Sequence, residues 1–444
     1  MRREQSGDVL ELAPFRGLRY AASDARALID SPALNLAPAL APPYDVLDAD
    51  TVTDLMRAEP RNAVRLTLPP AARESRGFPA DLSGPDRYRR AAHTLRRWIA
   101  DGVLVQDPEP VLYVYEQTAP DGRRQRGLIG ALRLPGPGSA AVRPHEDVLP
   151  GPVADRARLM AATRANLEPI FLLYRGGAGG ERGAAGLAVD EAAATTTAAL
   201  VDTVTGDGVT HRLWAIADPG VQAAVAADLA GRTALIADGH HRYAAYLRLR
   251  AEAGAQPDGP WEHGLAFLVD SDASPPRLGA IHRVLPGLAP DAAAQSARKV
   301  AEVEEFTAPE TASAIRRLHA AAAQGPALLL AGGGSWYLLR GFSDEDVAEA
   351  APERSAPWRA LPTAVLSHLL MPLWGATDEG ARLVHDDAAE AVTAARSCGG
   401  TAVIVPPLSV ADVYAVTARG ELTPRKSTSF GPKPRTGLVL RAFR

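Results

Sequence analysis

Cysteine is almost missing from this chain, because Cys398 is the only one in 444 residues. A single thiol excludes disulfides within the chain and zinc sites built on several cysteines. Lysine is scarce as well: it occurs only as Lys299, Lys426 and Lys433, so arginine supplies nearly all of the positive charge. A lysine retained against such a bias indicates a need for a compact ammonium on a flexible stem, although chance clustering also explains the pair at 426 and 433.

Long apolar runs are missing too. No stretch reaches the ~18 apolar residues of a membrane span, and Met1–Asp8 lacks the apolar segment of a signal peptide. We therefore expect a cytoplasmic protein without a membrane partner. The net charge of -4 and the pI near 6.2 give no basic footprint, so nucleic acid is not an expected partner. Composition does not indicate an oligomeric state.

Several common catalytic motifs are also missing. The sequence contains no Gly-x-x-x-x-Gly-Lys-Ser/Thr phosphate loop, no Gly-x-Gly-x-x-Gly that follows a strand, and no Gly-x-Ser-x-Gly elbow. The common ATPase, dehydrogenase and serine-hydrolase classes therefore lose support. The function has to be sought in other patterns of charged residues and histidines.

The apolar residues that are present alternate between helical and strand-like spacing, which predicts a mixed α/β or α+β fold. We divide the chain into an N-terminal α+β region, 1–138, a central α/β region, 139–289, and a C-terminal α+β region, 290–444. The tail of the last region is a candidate to complete a site in the central one. Residues 62–68 alternate as a strand does, and residues 111–134 are typical of a β-hairpin.

The most informative segment is Asp238-Gly239-His240-His241-Arg242, which stands between an apolar run and a helical pattern. A strand that turns on glycine into a helix presents free backbone N–H groups and the positive end of the helix dipole to an anion. Arg242 adds a guanidinium suited to phosphate or carboxylate. The alternative is a structural turn in which Asp238 caps the helix and the histidines satisfy local hydrogen bonds.

A second polar segment, residues 143–147, contains His145 and Glu146 beside a further carboxylate. Such a group can supply a general base, a magnesium ligand or both, but an exposed polar loop has the same composition. His282 and Arg283 interrupt an apolar strand pattern. That position is typical of a pocket edge and equally of the end of a strand.

Enough potential ligands for a metallohydrolase are present, namely His145, Glu146, His240, His241 and His282. Their spacing does not match zinc sites, which usually place ligands at i and i+4 of one helix. Magnesium bound through a carboxylate and a substrate phosphate is easier to accommodate. The identity of any metal therefore stays open.

Five segments together resemble the domain-of-unknown-function family 1015, and the resemblance extends over nearly the whole chain: Ala13–Tyr20, Ala41–Asp45, Pro144–Glu146, Ile236–Tyr243 and Arg425–Thr428. That family name implies no activity. The turn at 238–242 is also similar to the nucleotide-phosphate turn of the ParB and sulfiredoxin-like superfamily, which includes free-serine kinases that use ADP or ATP. The fold implied by this resemblance is a ParB/sulfiredoxin-like nucleotide-binding core with additional α+β regions.

In sulfiredoxins this turn carries a reactive cysteine, whereas His240 stands at that place here, so sulfiredoxin chemistry is not expected. The serine-kinase version of the turn has the same five residues as this chain. The resemblance therefore implies that Gly239, His240, His241 and Arg242 hold nucleotide phosphates. It also implies that Asp238 faces the transferring group.

These patterns predict a small-molecule phosphotransferase with free L-serine as the acceptor, ATP or ADP as the donor and Mg²⁺ as the metal. Phosphoryl transfer depends mainly on positioning and charge neutralisation. Besides Asp238, we expect Glu146 to act as the base and Lys426 to reach the transferring phosphoryl group. The alternatives are a nucleotide-binding regulator of ParB-like type without turnover, and a phosphate-ester hydrolase.

Overall fold

A computed structural model describes residues 9–21, 36–69, 86–177, 182–194, 199–254, 256 and 259–443. The described residues pack as two compact units. The first is drawn from Met1–Arg143, Val148–Pro275 and Pro432–Arg444, and the second from Pro144–Asp147 and Pro276–Gly431. Helices and strands are both abundant in each unit, which confirms the predicted mixed α+β class. The boundaries proposed at 138/139 and 289/290 stay predictions.

The helices of the first unit are α1 (Ala49–Ala58), α2 (Val64–Thr67), α3 (Asp86–Ala100), α4 (Pro150–Thr163), α5 (Ala184–Ala194), α6 (Pro219–Ala230) and α7 (His240–Ala253). Short 3₁₀ turns lie at Ala37–Ala39, Tyr44–Val46 and Pro260–Glu262. Across the described parts of both units, no helix combines the length and the apolar composition needed to cross a bilayer.

The strands of the first unit are β1 (Leu12–Ala13), β2 (Leu18–Tyr20), β3 (Leu104–Gln106), β4 (Leu112–Thr118), β5 (Arg124–Arg133), β6 (Val142–Arg143), β7 (Ala165–Asn166), β8 (Ile170–Tyr174), β9 (Val201–Val204), β10 (Thr210–Ile216), β11 (Ala234–Asp238) and β12 (His263–Asp270). Most of them form one mixed sheet in the order β6-β11-β8-β12-β5-β4-β10-β9, with β1 beside β5. The antiparallel pairing of β4 with β5 confirms the predicted hairpin.

Strand β11 lies inside this sheet, parallel to β6 and antiparallel to β8. All residues of β8 and β11 are buried. Both strands have nearly uninterrupted apolar sequences, which is why they can be covered on both faces. Helix α7 packs against β8 and β12, and each fully buried apolar side chain such as Leu249 contributes roughly 1.5–3 kcal/mol to folding. Packing thus holds the turn between β11 and α7 in place.

The strands of the second unit are β13 (Arg277–Gly279), β14 (Ile281–Leu285), β15 (Glu302–Phe306), β16 (Leu328–Ala331), β17 (Trp336–Arg340), β18 (Arg382–His385), β19 (Thr401–Ile404) and β20 (Ser429–Gly431). Among the described residues, six of them form an antiparallel sheet in the order β15-β17-β16-β19-β14-β18. The remaining elements of this unit are helical. Its helices are α8 (Pro290–Ala297), α9 (Thr311–Ala322), α10 (Asp344–Ala350), α11 (Ala356–Arg359), α12 (Pro362–Val365), α13 (Met371–Leu373), α14 (Ala388–Ser397) and α15 (Val410–Thr417), with a π-helical turn at Leu366–Leu370. Strand β21 (Arg441–Ala442) belongs to the first unit and pairs with β7.

The strand predicted over residues 62–68 is wrong, because Val64–Thr67 form the short helix α2. The cause is the buried side chain of Asn62. Its Oδ1 accepts a 2.8 Å hydrogen bond from the Val64 N–H, and its Nδ2 donates to the carbonyls of Pro38 and Leu40 at 2.8 and 3.0 Å. A side chain that binds the backbone in this way favours a helical start over a strand ladder.

Candidate functional site

Strand β11 ends at Asp238, and Gly239 turns the chain into helix α7. Gly239 has φ 93° and ψ 27°, a left-handed conformation that glycine adopts at little cost. A side chain would also be crowded there, because a Cβ would lie 3.0 Å from Cγ2 of Ile170. The predicted succession of strand, glycine and helix N-terminus is therefore confirmed.

Replacing Gly239 with alanine should lower the free energy of unfolding by about 1–2 kcal/mol, because alanine must take the left-handed conformation against a close neighbour. Gly231→Ala is the matched control: Gly231 also adjoins a helix end, but its φ is -89° and the space beside it is open. Urea denaturation of both variants measures the difference. Equal effects of the two substitutions would contradict the conformational requirement at Gly239.

Helix α7 buries the face that its sequence predicts, with Tyr243, Tyr246 and Leu249 buried, and it ends at the residue before Gly254. The alternative in which Asp238 caps this helix is not what the structure contains. Gly239 occupies the N-cap position, and the cap has no side-chain hydrogen bond. The carboxylate of Asp238 is engaged by two cations instead.

Lys433 is the first of these cations, and it lies between two carboxylates. Its Nζ is 2.7 Å from Oδ2 of Asp45 and 2.7 Å from Oδ1 of Asp238. Burial lowers the pKa of Lys433, but the two carboxylates outweigh burial and raise it above its usual value. Burial likewise raises the pKa of Asp45, yet Lys433 and Arg242 bring it below its usual range. Lys433 and Asp45 are therefore both charged at neutral pH.

Arg242 is the second cation, and it holds the other oxygen of Asp238. Its Nη2 is 2.6 Å from Oδ2 of Asp238, and its Nη1 donates a 2.5 Å hydrogen bond to the carbonyl of Pro169. The side chain is buried. Burial lowers the pKa of Arg242, but Glu168, Asp238 and Asp45 raise it above its usual value. In this structure the guanidinium fixes Asp238, and its predicted contact with phosphate stays a prediction.

Glu168 connects further parts of the chain to this place. Its Oε1 accepts hydrogen bonds from the backbone N–H of Tyr44 at 3.1 Å and from Oγ1 of Thr436 at 2.9 Å. The guanidinium carbons of Arg156 and Arg242 lie 4.2 and 5.9 Å from the centre of the Tyr44 ring. All these contacts are within the first unit. We name as the Asp238 cluster the residues Asp45, Glu168, Asp238, Arg242 and Lys433.

The two histidines of the turn differ in environment. His240 is buried, whereas His241 is partly exposed. Nε2 of His241 accepts a 3.1 Å hydrogen bond from the backbone N–H of Leu149, the residue before α4. A neutral ring that accepts at Nε2 carries its proton on Nδ1. The phosphate-binding role of Gly239, His240 and His241 stays a prediction.

The other predicted site residues come together in the second unit. Oε1 of Glu146 accepts a 3.2 Å hydrogen bond from the backbone N–H of Lys426, and Lys426 has a left-handed φ of 56°. Nε2 of the buried His145 lies 2.7 Å from Oγ1 of Thr428, and its carbonyl accepts from both the N–H and the hydroxyl of Thr423 at 2.8 Å. The segments around 145 and 426 are thus bound to each other. Catalytic roles for Glu146 and Lys426 stay predictions.

Arg283 joins the same group by donating to backbone carbonyls, whereas its neighbour His282 contacts the backbone of Val405. Arg283 donates from Nη1 to the carbonyls of Ile281 and Lys426, at 2.5 and 2.9 Å, and from Nη2 to the carbonyl of Arg425 at 3.1 Å. Nδ1 of His282 accepts a 3.3 Å hydrogen bond from the N–H of Val405. Burial lowers the pKa of His282 to about 4, with a further contribution from Arg283, so the ring is neutral at pH 7.

The sequence does not single out Asp45 or Glu168 as site residues, and it indicates no role for Lys433. Lys433 was singled out only as a retained lysine, and its position between Pro432 and Pro434 was the further signal available. Asp45 belongs to a segment that carries the family resemblance. Glu168 has no signal in the sequence, because its partners Tyr44 and Thr436 are far along the chain.

The carboxylates of the Asp238 cluster bear on metal binding. Within the described ranges, His, Cys, Asp and Glu side chains form no group of three or more suited to hold a metal ion. Asp45 and Asp238 are a pair, and two carboxylates fit magnesium only where phosphate oxygens and water supply the other ligands.

A cavity of about 330 Å³ opens at the other end of the sheet of the first unit. Asp238 pairs with Phe171 near the start of β8, whereas Tyr174 at the end of β8 lines the cavity. Its charged lining residues are Arg124, Arg126, Arg182, Asp190 and Asp270. This cavity is separate from the Asp238 cluster and offers control positions for mutagenesis.

Comparison with known sequences gives one family. The family described as "Protein of unknown function (DUF1015)" matches residues 12–364. That range includes four of the five segments on which the resemblance was based, and Arg425–Thr428 lies beyond it. No curated protein matches the chain.

Similar solved structures include a mutant of a free serine kinase in complex with ADP, with 14% identity and a TM-score of 0.34, over 67% of this chain and 89% of that one. SbnI with a C-terminal truncation from Staphylococcus aureus has 13% identity and a TM-score of 0.35, over 68% and 84%. A conserved hypothetical protein from Pyrococcus furiosus has 14% identity and a TM-score of 0.33, over 68% and 92%. At these scores the likenesses carry no argument about activity.

Proposed function

The chain belongs to the family described as "Protein of unknown function (DUF1015)", and because that description carries no activity, we propose a function from the Asp238 cluster itself. The proposal is a nucleotide-dependent phosphotransferase that acts on the hydroxyl of a small molecule, with free L-serine as the acceptor. The observation that carries it is the ammonium of Lys433, 2.7 Å from both Asp45 and Asp238, beside a glycine turn that begins a helix.

This arrangement supports phosphoryl transfer because three requirements of that chemistry meet in one place. The N-terminus of α7 attracts phosphate through its dipole and its N–H groups. The ammonium of Lys433 neutralises charge on the transferring phosphoryl group. A carboxylate orients the attacking hydroxyl. Lys433 therefore takes the role predicted for Lys426, while Glu146 and Lys426 remain further candidates for the same reaction.

In the proposed step, the acceptor oxygen forms a bond to the terminal phosphorus of the nucleotide while the bond from that phosphorus to the bridging oxygen breaks. The hydroxyl proton passes to a carboxylate, and we assign it to Asp45. The Asp45 side chain is 36% exposed, whereas that of Asp238 is 10% exposed and bound at both oxygens. Asp238 positions Lys433, and Arg242 positions Asp238.

The donor we propose is ATP or ADP with Mg²⁺. When bound, magnesium would neutralise charge on the phosphate oxygens, which would also supply most of its ligands. Both oxygens of Asp238 are bound by Arg242 and Lys433, so Asp45 is the carboxylate of the pair that would reach the ion. The serine acceptor rests on the resemblance of residues 238–242 to the turn of free-serine kinases. The small-molecule acceptor in general rests on the cluster.

Phosphorus NMR tests the proposal directly. Protein incubated with Mg²⁺, L-serine and either ADP or ATP should produce O-phosphoserine, and a serine-free sample should not. Asp238→Asn should lower the rate by about 10²- to 10³-fold, because the amide no longer holds the ammonium of Lys433. Arg182→Ala, at the cavity at the other end of the sheet, is the control and should retain the rate.

The same samples separate the alternatives. Nucleotide binding without serine-dependent turnover would support a nucleotide-binding regulator. Release of inorganic phosphate in the serine-free sample would support a phosphate-ester hydrolase. A nucleotide that stays intact in every sample would contradict the proposed phosphorylation of serine.

A further inference from the structure

The segment that carries Lys433, residues 432–436, is bound to the first unit along its length. The carbonyl of Pro432 accepts a 3.2 Å hydrogen bond from Nε2 of Gln117. Thr436 exchanges two backbone hydrogen bonds with Ala41, at 2.9 and 3.1 Å. Lys433 itself stands between two prolines, which have a restricted φ and no N–H to donate. The position of its backbone therefore depends on the hydrogen bonds of the residues on either side, which we call the anchors of the segment.

A further anchor is a closed ring of hydrogen bonds that begins and ends at Arg435. The backbone N–H of Arg435 donates to Oη of Tyr115 at 3.4 Å, and that hydroxyl lies 2.9 Å from Nδ1 of His211. Nε2 of His211 is 3.0 Å from Oγ1 of Thr205, which donates to Oδ1 of Asp207 at 2.5 Å. The guanidinium of Arg435 forms an ion pair with Oδ2 of Asp207 and closes the ring.

The ring has one consistent direction of donation. The hydroxyl of Tyr115 accepts from the N–H of Arg435, and its own hydrogen is available to Nδ1 of His211. The hydroxyl of Thr205 donates to the carboxylate of Asp207 and therefore accepts from Nε2 of His211. A neutral His211 with its proton on Nε2 donates to Thr205 and accepts from Tyr115, and so satisfies both contacts. Burial lowers the pKa of this fully buried ring to about 4, which agrees with a neutral imidazole at pH 7.

We propose that Tyr115, His211, Thr205 and Asp207 are positioning residues that hold the 432–436 segment so that the ammonium of Lys433 stays between Asp45 and Asp238. None of them belongs to the Asp238 cluster. The hydrogen bond and the ion pair of Arg435 hold its backbone in place. Because Pro434 has a restricted φ, fixing residue 435 also restricts the position of Lys433. The kinetic part of this proposal rests on the proposed function, whereas the structural part does not.

The test compares Tyr115→Phe with Tyr174→Phe. Tyr115→Phe removes only the hydroxyl that Tyr115 contributes to the ring of hydrogen bonds. Tyr174→Phe removes the hydroxyl of another buried tyrosine in the same sheet. Hydrogen–deuterium exchange of the peptide over residues 432–437 measures how tightly the segment is held. We expect exchange about tenfold faster in Tyr115→Phe and no change in Tyr174→Phe, because loss of one buried hydrogen bond weakens the local structure.

A second readout concerns the tautomer. The ¹⁵N chemical shifts of His211, assigned by their loss in His211→Gln, should have the pattern of a protonated Nε2 and an unprotonated Nδ1. The reverse pattern, or exchange of the 432–437 peptide that is the same in Tyr115→Phe and in the unsubstituted protein, would overturn the ring as an anchor.

The third readout is kinetic. In Tyr115→Phe, kcat for serine phosphorylation should fall by about tenfold with KM for the nucleotide nearly unchanged, because Lys433 acts on the transfer step. An unchanged kcat despite faster exchange would overturn the positioning role. If the unsubstituted protein transfers no phosphate to serine, the proposed function fails, and exchange and tautomer still decide whether the ring holds the segment.

Discussion

Alanine in place of Lys433 is expected to lower kcat for serine-dependent phosphoryl transfer by about 10²- to 10³-fold, with a smaller change in KM. The physical reason is the loss of the one ammonium that contacts both Asp45 and Asp238. Without it the charge that develops on the transferring group is not neutralised, and two carboxylates repel each other in a partly buried place. Steady-state kinetics with coupled detection of the product nucleotide measure the effect.

Two other lysines provide the controls. Lys299→Ala changes an exposed lysine of the second unit and should leave kcat unchanged. Lys426→Ala tests the role that the sequence suggested for Lys426. A large loss in Lys426→Ala together with full activity in Lys433→Ala would move the transferring ammonium to Lys426 and contradict the present assignment. Thermal unfolding of each variant distinguishes a kinetic loss from a loss of folded protein.

Arg242→Ala is expected to lower the free energy of unfolding by about 3–5 kcal/mol, as is typical when one partner of a buried ion pair is removed. The guanidinium of Arg242 is buried and contacts both Asp238 and the carbonyl of Pro169. Its removal leaves Asp238 with a single cationic partner, Lys433, and leaves the Pro169 carbonyl without its donor. Urea denaturation at pH 7 measures this change.

Arg248→Ala is the matched control on the same helix. Arg248 pairs with Glu252 one turn later, both side chains are about half exposed, and such a pair contributes about 0.3–0.5 kcal/mol. Similar small effects of both substitutions would contradict a buried structural charge at Arg242. If Arg242→Ala stays stable but loses nucleotide affinity, the guanidinium contacts phosphate, as the sequence suggested.

Local patterns were enough to predict the turn and its flanking elements. The apolar run before Asp238, the glycine and the spacing of Tyr243, Tyr246 and Leu249 are properties of neighbouring residues, and they define β11 and α7 without any distant contact. The hairpin of β4 and β5 was predicted for the same reason. Where a distant contact decided the local structure, as at the buried Asn62, the prediction was wrong.

Among the predicted site residues, the structure groups those of the second unit in a way that spacing did not indicate. Glu146 contacts Lys426, and Arg283 donates to the carbonyls of residues 425 and 426. These contacts depend on how three separate segments cross. The sequence identifies these residues as candidates for a polar site. It does not distinguish a catalytic side chain from one that forms hydrogen bonds with the backbone.

The sequence by itself determined the chemical character of the turn at 238–242 and the mixed α+β class, since both follow from the periodicity and conformational preference of adjacent residues. Only the tertiary structure decided that Lys433, in addition to Arg242, faces Asp238, because Lys433 and Asp45 reach Asp238 from opposite parts of the chain. An ion pair of this kind depends on the path of the folded backbone and on burial, which strengthens it by excluding water. Neither the path of the backbone nor the burial of the pair can be predicted from neighbouring residues alone.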